Sequence, residues 1–160
     1  MITTILSDFS RVILNPRNIS YKGTINNLHK ELLGEQDDYS FFDYFEFNDK
    51  ILNLYKTLRK KYSVSVFTSG TVQNRSEIRK VIDPIFENVF TAKDFNLDKK
   101  QPESYLFIAK KLGKRPQEIL FIDDQIDNVN AAKKAGLNTI LFTDYKSLAL
   151  TLKNILDKVK

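Results

Sequence analysis

The 160-residue chain contains no cysteine and no tryptophan, one histidine, one methionine, five glycines and four prolines. Without a thiol there is no disulfide framework, no thiolate nucleophile and no zinc–thiolate cluster. The lone histidine, His29, argues against a metal site built on imidazoles, and it reads as a surface or half-buried helix residue. Any metal ion must therefore be held by oxygen, which favours hard cations. Long apolar runs are missing as well. Nothing approaches the roughly 20 apolar residues of a membrane helix, and the run from Ile2 to Leu6 is too short, and too soon followed by Asp8, for a signal peptide. The expectation is a cytoplasmic protein with no membrane partner. Internal repeats and low-complexity tracts are also absent.

What is present suits one packed core. Hydrophobic residues make up 42% of the chain and include twelve phenylalanines, and the length is that of one domain, expected over 1–160. The net charge of +5 raises the question of a nucleic-acid partner. The basic residues are dispersed, however, as in Arg59, Lys60 and Lys61 at a helix end, where they complement the helix dipole. A solvated surface is expected, and no nucleic acid.

Short apolar runs alternate with amphipathic stretches, the pattern of a parallel sheet covered by helices on both faces. Strands are predicted at Thr3–Ser7, Ser63–Thr68, Val89–Thr91, Ile119–Ile122 and Thr139–Phe142, with the continuous apolar character of buried strands. Helical stripes run through Ile51, Leu54, Tyr55 and Leu58; Tyr105, Ile108, Ala109 and Leu112; Ile126, Val129, Ala132 and Ala135; and Leu148, Leu152, Ile155 and Val159. Pro102 occupies a first-turn position, and Gly113 and Gly136 follow the last apolar residues of their helices. Residues 15–48 break the alternation with one short helix near Asn26–Leu33, an acidic stretch and an aromatic cluster from Tyr39 to Phe47. They are expected to form a small cap or flap inserted after the first strand.

In open parallel sheets ligands bind beyond the carboxyl ends of the strands. Here the first strand leads into Asp8 and Ser10, the second into Thr68, Ser69 and Gly70, and the fourth into Asp123 and Asp124. Asp98, Lys99 and Lys100 follow the third. A carboxylate attacks a phosphate dianion only when the charge between them is neutralised, and a hard cation on oxygen ligands does this. Hydroxyls and backbone N–H groups can hold the phosphoryl oxygens, a lysine can offset charge, and the bond formed would be an aspartyl phosphate. Alone, each of these residues reads equally well as a helix cap or turn residue.

Four of these stretches, ILSDFS, SVFTSG, DKKQPES and LFIDDQIDNVNAAKKAG, resemble in order the motifs of the haloacid dehalogenase (HAD) superfamily. The resemblance implies a Rossmann-like three-layer sandwich around a mostly parallel five-stranded sheet. It also implies a phosphatase-type hydrolase of a small phosphorylated metabolite, with Mg²⁺ as cofactor. By this likeness Asp8 is the nucleophile, and Thr68, Ser69 and Gly70 bind the phosphoryl group. The spacing to Pro102 favours Lys99 over Lys100. The cation falls to Asp8, the carbonyl of Ser10 and Asp124, with Asp123 beside them. Asn128 sits where many members place a supporting residue, with Asp127 as a neighbouring candidate. The short insert implies an open site without a full helical cap.

One position departs from that pattern. Most phosphatases of the superfamily carry a second aspartate two residues after the nucleophile, as acid and base; here it is Ser10. A serine hydroxyl gives no proton near neutral pH, and losing a positioned general acid costs about 10²- to 10⁴-fold in rate. Acyl and aryl phosphates should then be hydrolysed better than alkyl phosphates, unless Asp37, Asp38 or Asp43 of the insert substitutes. Arg11 and Arg17 are candidates for anion binding. The alternative is an idle module that binds an anion or a protein partner through the same rim and the exposed aromatics. Halide displacement from a haloacid would have no need of the acidic pair. A phospho-receiver domain is excluded by the order of the motifs, because its acidic pair follows the first strand.

Overall fold

Alternation along a few short strands decides the layers of this molecule. The computed structural model describes residues 1–35 and 39–157. In chain order the strands are β1 (Thr4–Ser7), β2 (Leu14–Pro16), β3 (Phe45–Phe47), β4 (Ser63–Thr68), β5 (Asn88–Thr91), β6 (Ile119–Asp123) and β7 (Asn138–Leu141). The helices are α1 (Ile25–Glu35), α2 (Phe41–Tyr44), α3 (Asp49–Leu58), α4 (Ser76–Ile82), α5 (Pro102–Leu112), α6 (Ile126–Lys134) and α7 (Tyr145–Asp157). Five strands form one sheet in the order β5-β4-β1-β6-β7, and every pairing in it is parallel.

Successive residues of a strand point to opposite faces, so each strand here serves two cores. Ile5, Val64, Val66, Leu120 and Ile122 pack on one face with Ile51, Leu52 and Tyr55 of α3, Ile78 and Ile82 of α4, and Leu148 and Leu152 of α7. Leu6, Phe67, Ile119 and Phe121 face the other way, toward Tyr105, Ile108 and Ala109 of α5 and Ala131 and Ala132 of α6. Burial on both faces explains why the central strands read as continuous apolar runs. Pro102 opens α5, and Gly113 ends it with φ of 64°, a left-handed cap that a side chain would strain.

The five predicted strands are all present, with ends shifted by at most one residue. Unpredicted are the antiparallel pair β2–β3 and the seven-residue helix α4. Each is too short for periodicity to register, and α4 shows only Ile78 and Ile82, one turn apart.

The insert is tied to the first core by its own apolar residues: Ile25, Leu32, Tyr39, Phe41 and Phe45 are all buried there. Phe41 and Phe45 stack with centroids 4.5 Å apart, and the Arg75 guanidinium lies 5.0 Å from the Tyr39 ring centre. The aromatic cluster thus packs the insert against the core, and Phe42, 40% exposed, is its most open member. Among the described residues no helix is long and apolar enough to cross a membrane.

Candidate active site

The sheet order places β1 between β4 and β6, so three adjacent strands end side by side. Ser7 at the end of β1 is in register with Val66 and Ile122, and the Asp8 N–H donates to the Ile122 carbonyl at 2.8 Å. Asp8 therefore leaves the sheet beside the last residues of its neighbours, Thr68 of β4 and Asp123 of β6. The connections diverge from β1 in opposite directions, which makes this the switch point where open α/β sheets bind ligands.

A lysine holds the centre. Lys99 Nζ donates to Asp8 Oδ1 at 2.6 Å and to Asp123 Oδ2 at 2.7 Å, and all three residues are buried. Its ammonium also lies 5.4 Å from the Phe67 ring centre and 5.5 Å from that of Phe121. The Tyr105 hydroxyl donates to the Lys99 carbonyl at 2.7 Å, fixing the backbone that carries the ammonium. Lys100 points outward, 3.6 Å from an exposed Asp127. Of the two lysines, Lys99 is thus the one joined to the carboxylates.

Asp123 has no exposed surface and both its oxygens are engaged. Oδ1 accepts from the Gln125 N–H at 2.8 Å, while Oδ2 accepts from Lys99 and, at 3.0 Å, from the Asn128 amide. It sits behind the pocket and braces the lysine. Asn128 makes the supporting contact expected of it, whereas Asp127 faces Lys100 at the surface. Asp124 opens onto the pocket, and its Oδ2 accepts from the Gln125 side chain at 2.9 Å.

The oxygens of Asp8, Asp123 and Asp124 lie within 4.8 Å of one another. Three carboxylates against one ammonium leave a formal excess of two negative charges, which one divalent cation would balance. Burial, only partly countered by Lys99, pushes the Asp8 carboxyl up to about 7, and Asp123 and Asp124 push in the same direction. Burial likewise raises Asp124. The donor set of Asp8, Asp123 and Asp124 is all oxygen, which suits Mg²⁺.

This cluster forms one end of a pocket of about 800 Å³, also lined by Ser10, Thr68, Ser69 and Asn128. Gly70 stands outside it and lines a smaller neighbouring cavity. The Asn26 side chain occupies the space that a Cβ at residue 70 would need, so glycine permits the insert to close on the loop after β4. Lys22, Thr24 and Asn26 of the insert line the pocket, and sequence patterns did not reveal them. They arrive through a tertiary clamp: Arg11, in a left-handed conformation with φ of 60°, donates through Nη2 to the carbonyls of Tyr21 at 2.9 Å and Gly23 at 2.5 Å. Arg17 donates instead to the Phe42 carbonyl at 2.6 Å, away from the pocket. Its expected anion role is therefore replaced by a bond within the insert. Asp43 is exposed on α2 and lines neither cavity, so it does not stand in for the missing acid; Asp37 and Asp38 lie outside the described residues. His29 is half-buried, its Nδ1 2.5 Å from the Tyr39 hydroxyl, in a structural setting.

Comparison with known proteins gives the family and the fold. The family model described as a haloacid dehalogenase-like hydrolase matches residues 18–136, a span that includes Thr68, Lys99, Asp123 and Asp124 and begins after Asp8. Over 99 residues the chain is 33% identical to enolase-phosphatase E1 of Synechococcus sp. (strain CC9902), a match that covers 59% of this chain and 40% of that protein. The chain spans less than half the length of the curated relatives it matches. Among solved structures, a predicted HAD-like family hydrolase of Porphyromonas gingivalis superposes with a TM-score of 0.68 at 16% identity, covering 98% of each chain. A HAD family enzyme of Bacteroides thetaiotaomicron, crystallised with magnesium and inorganic phosphate, superposes at 0.66 and 17% identity, covering 92% of this chain and 99% of that one.

Proposed function

The chain belongs to the haloacid dehalogenase-like hydrolases, and on that premise we propose that it is a Mg²⁺-dependent phosphatase acting on a small phosphorylated metabolite through an aspartyl phosphate at Asp8. The observation that carries this reading is the cluster of three carboxylates around Lys99 at the end of an open pocket. The structural neighbour from Bacteroides thetaiotaomicron, crystallised with magnesium and phosphate, supports the choice of cofactor. We take residues 1–160 as a single domain, with the insert from about residue 15 to 48 as a flap sharing its core.

Bound Mg²⁺ supplies the positive charge that lets an anionic carboxylate approach a phosphate dianion. The other steps fall to the chain itself. Lys99 holds Oδ1 of Asp8, so that Oδ2 would be the free, attacking oxygen. Thr68 and Ser69 offer hydroxyls to the phosphoryl oxygens on the far side. The free Asp8 oxygen forms a bond to phosphorus as the bond from phosphorus to the leaving oxygen breaks. Water then attacks the aspartyl phosphate, releasing phosphate and restoring Asp8.

Ser10 gives this enzyme its character. Ser10 lines the pocket at the position where most phosphatases of the superfamily carry a second aspartate to protonate the leaving group. The departing oxygen must leave as an anion, so acyl and aryl phosphates are favoured and the phosphoryl-enzyme is long-lived. The test is turnover of an aryl phosphate with Mg²⁺: activity well above that of Asp8→Asn supports the assignment, and equal rates refute it.

A further inference from the structure

The smaller cavity beside the Asp8 pocket has a volume of about 300 Å³, and the two share Asn26, Ser69 and Lys93. Their chemistry differs. The larger pocket mixes lysines with the carboxylates of Asp8, Asp98, Asp124 and Asp127. The smaller one is lined by Lys30, Lys93 and His29, by Asn26, Ser69 and Thr71, and by no carboxylate among the described residues. Neither lysine forms an ion pair among the described residues, whereas Lys99 and Lys100 of the larger pocket do. Two unpaired ammonium groups over hydroxyl and amide groups make a recess suited to an anion.

The position of the recess matters as much as its charge. Ser69 follows Thr68 directly, so its residue spans the boundary between the phosphoryl-binding end and the smaller cavity. Asn26 forms the shared wall because Gly70 has no Cβ to exclude it. The two cavities thus adjoin at Asn26, Ser69 and Lys93, which would let a ligand with its phosphoryl group at Asp8 extend toward the cationic recess. Lys93 lines both cavities.

We propose that the cavity lined by Lys30 and Lys93 binds a second anionic group, a carboxylate or a phosphate, on the same substrate, so that preferred substrates are bis-anionic phosphate compounds. This rests on the placement of the phosphoryl group beside Asp8. The recess selects by charge at a distance from the reacting bond. Its contribution therefore appears in kcat/KM and is screened by salt, because both lysines are exposed.

The test uses the intact protein and phenyl phosphates that carry a para propionamide, propionate or propylphosphonate arm, with nearly equal leaving groups. At low ionic strength kcat/KM for the charged arms exceeds that of the amide about tenfold or more, and the ratio falls as salt approaches about 0.5 M. In Lys30→Ala/Lys93→Ala the ratio collapses toward one. Comparison of the carboxylate and phosphonate arms identifies which anion the recess prefers. Equal values for amide and charged arms in the wild type, or a preference that survives the double substitution, overturn the proposal. Calorimetric binding of the matching non-hydrolysable benzylphosphonates with Mg²⁺ separates the two readings. Charge-dependent binding without turnover refutes the phosphatase assignment and upholds the recess, whereas turnover with charge-independent binding refutes the recess alone.

Discussion

Replacing Lys99 by methionine removes the ammonium that, alone among the described residues, pairs with Asp8 and Asp123, while nearly preserving side-chain length. Both carboxylates are buried, and their contacts with Nζ are 2.6 and 2.7 Å. Deleting one partner of a buried ion pair costs about 3–5 kcal/mol, because the remaining charge keeps its desolvation penalty and loses its compensation. Here one ammonium serves two carboxylates, so the upper half of that range is expected near pH 8. For a chain of this length a loss of 1 kcal/mol lowers Tm by roughly 2–4 °C, so the variant should melt roughly 8–20 °C below wild type without metal. The deficit should shrink near pH 5, where the Asp8 carboxyl, already pushed up to about 7 by burial, takes a proton and no longer needs the lysine. Saturating Mg²⁺ should also recover part of it. Scanning calorimetry at both pH values, with and without Mg²⁺, reads all of these effects. A Lys99→Met protein as stable as wild type near pH 8 without metal would refute the account of the buried cluster.

Ser10→Asp should raise kcat for alkyl phosphates by about tenfold or more while changing aryl phosphates less, measured as phosphate release across leaving groups; an unchanged or lower alkyl rate would remove the role given to Ser10. The metal and proton compete at Asp8. Its folded carboxyl titrates above its unfolded value, so between about pH 4 and 7 the metal-free fold retains a proton that the unfolded chain releases, and this group destabilises the metal-free fold as pH rises. The rise in Tm produced by Mg²⁺ should therefore grow from about pH 5.5 to 8, and a gain independent of pH would contradict this. Gly70→Ala meets the end of the Asn26 side chain, which can swing aside, so its stability should fall by no more than about 1 kcal/mol in chemical unfolding. A larger loss would mean that Asn26 is held rigidly.

Much of the frame was legible because burial on both faces leaves a strong mark. The strand Ser63–Thr68 reads as it folds, and Pro102 and Gly113 bracket α5 by backbone rules alone. Asp8, Thr68 and Asp123 could be placed together because strand ends in a parallel sheet share one rim. The division of labour between Asp123 and Asp124 was legible only through the family likeness, not from the residue pattern itself. Adjacent carboxylates after a strand point to opposite sides, and only the partners Gln125, Lys99 and Asn128 reveal that Asp123 faces inward. The insert's contribution was also hidden. Lys22 and Asn26 reach the pocket through the Arg11 clamp and the space left at Gly70, and long-range contacts of that kind carry no periodicity.

The most direct measurement is covalent trapping. The protein is incubated with Mg²⁺ and acetyl phosphate, quenched in acid and digested, and the phosphorylated peptide is located by mass spectrometry. A single phosphoryl group on the peptide containing Asp8, absent in Asp8→Asn and absent without the metal, is the predicted result. No label, or a label on another carboxylate, would contradict the assignment of Asp8 as nucleophile.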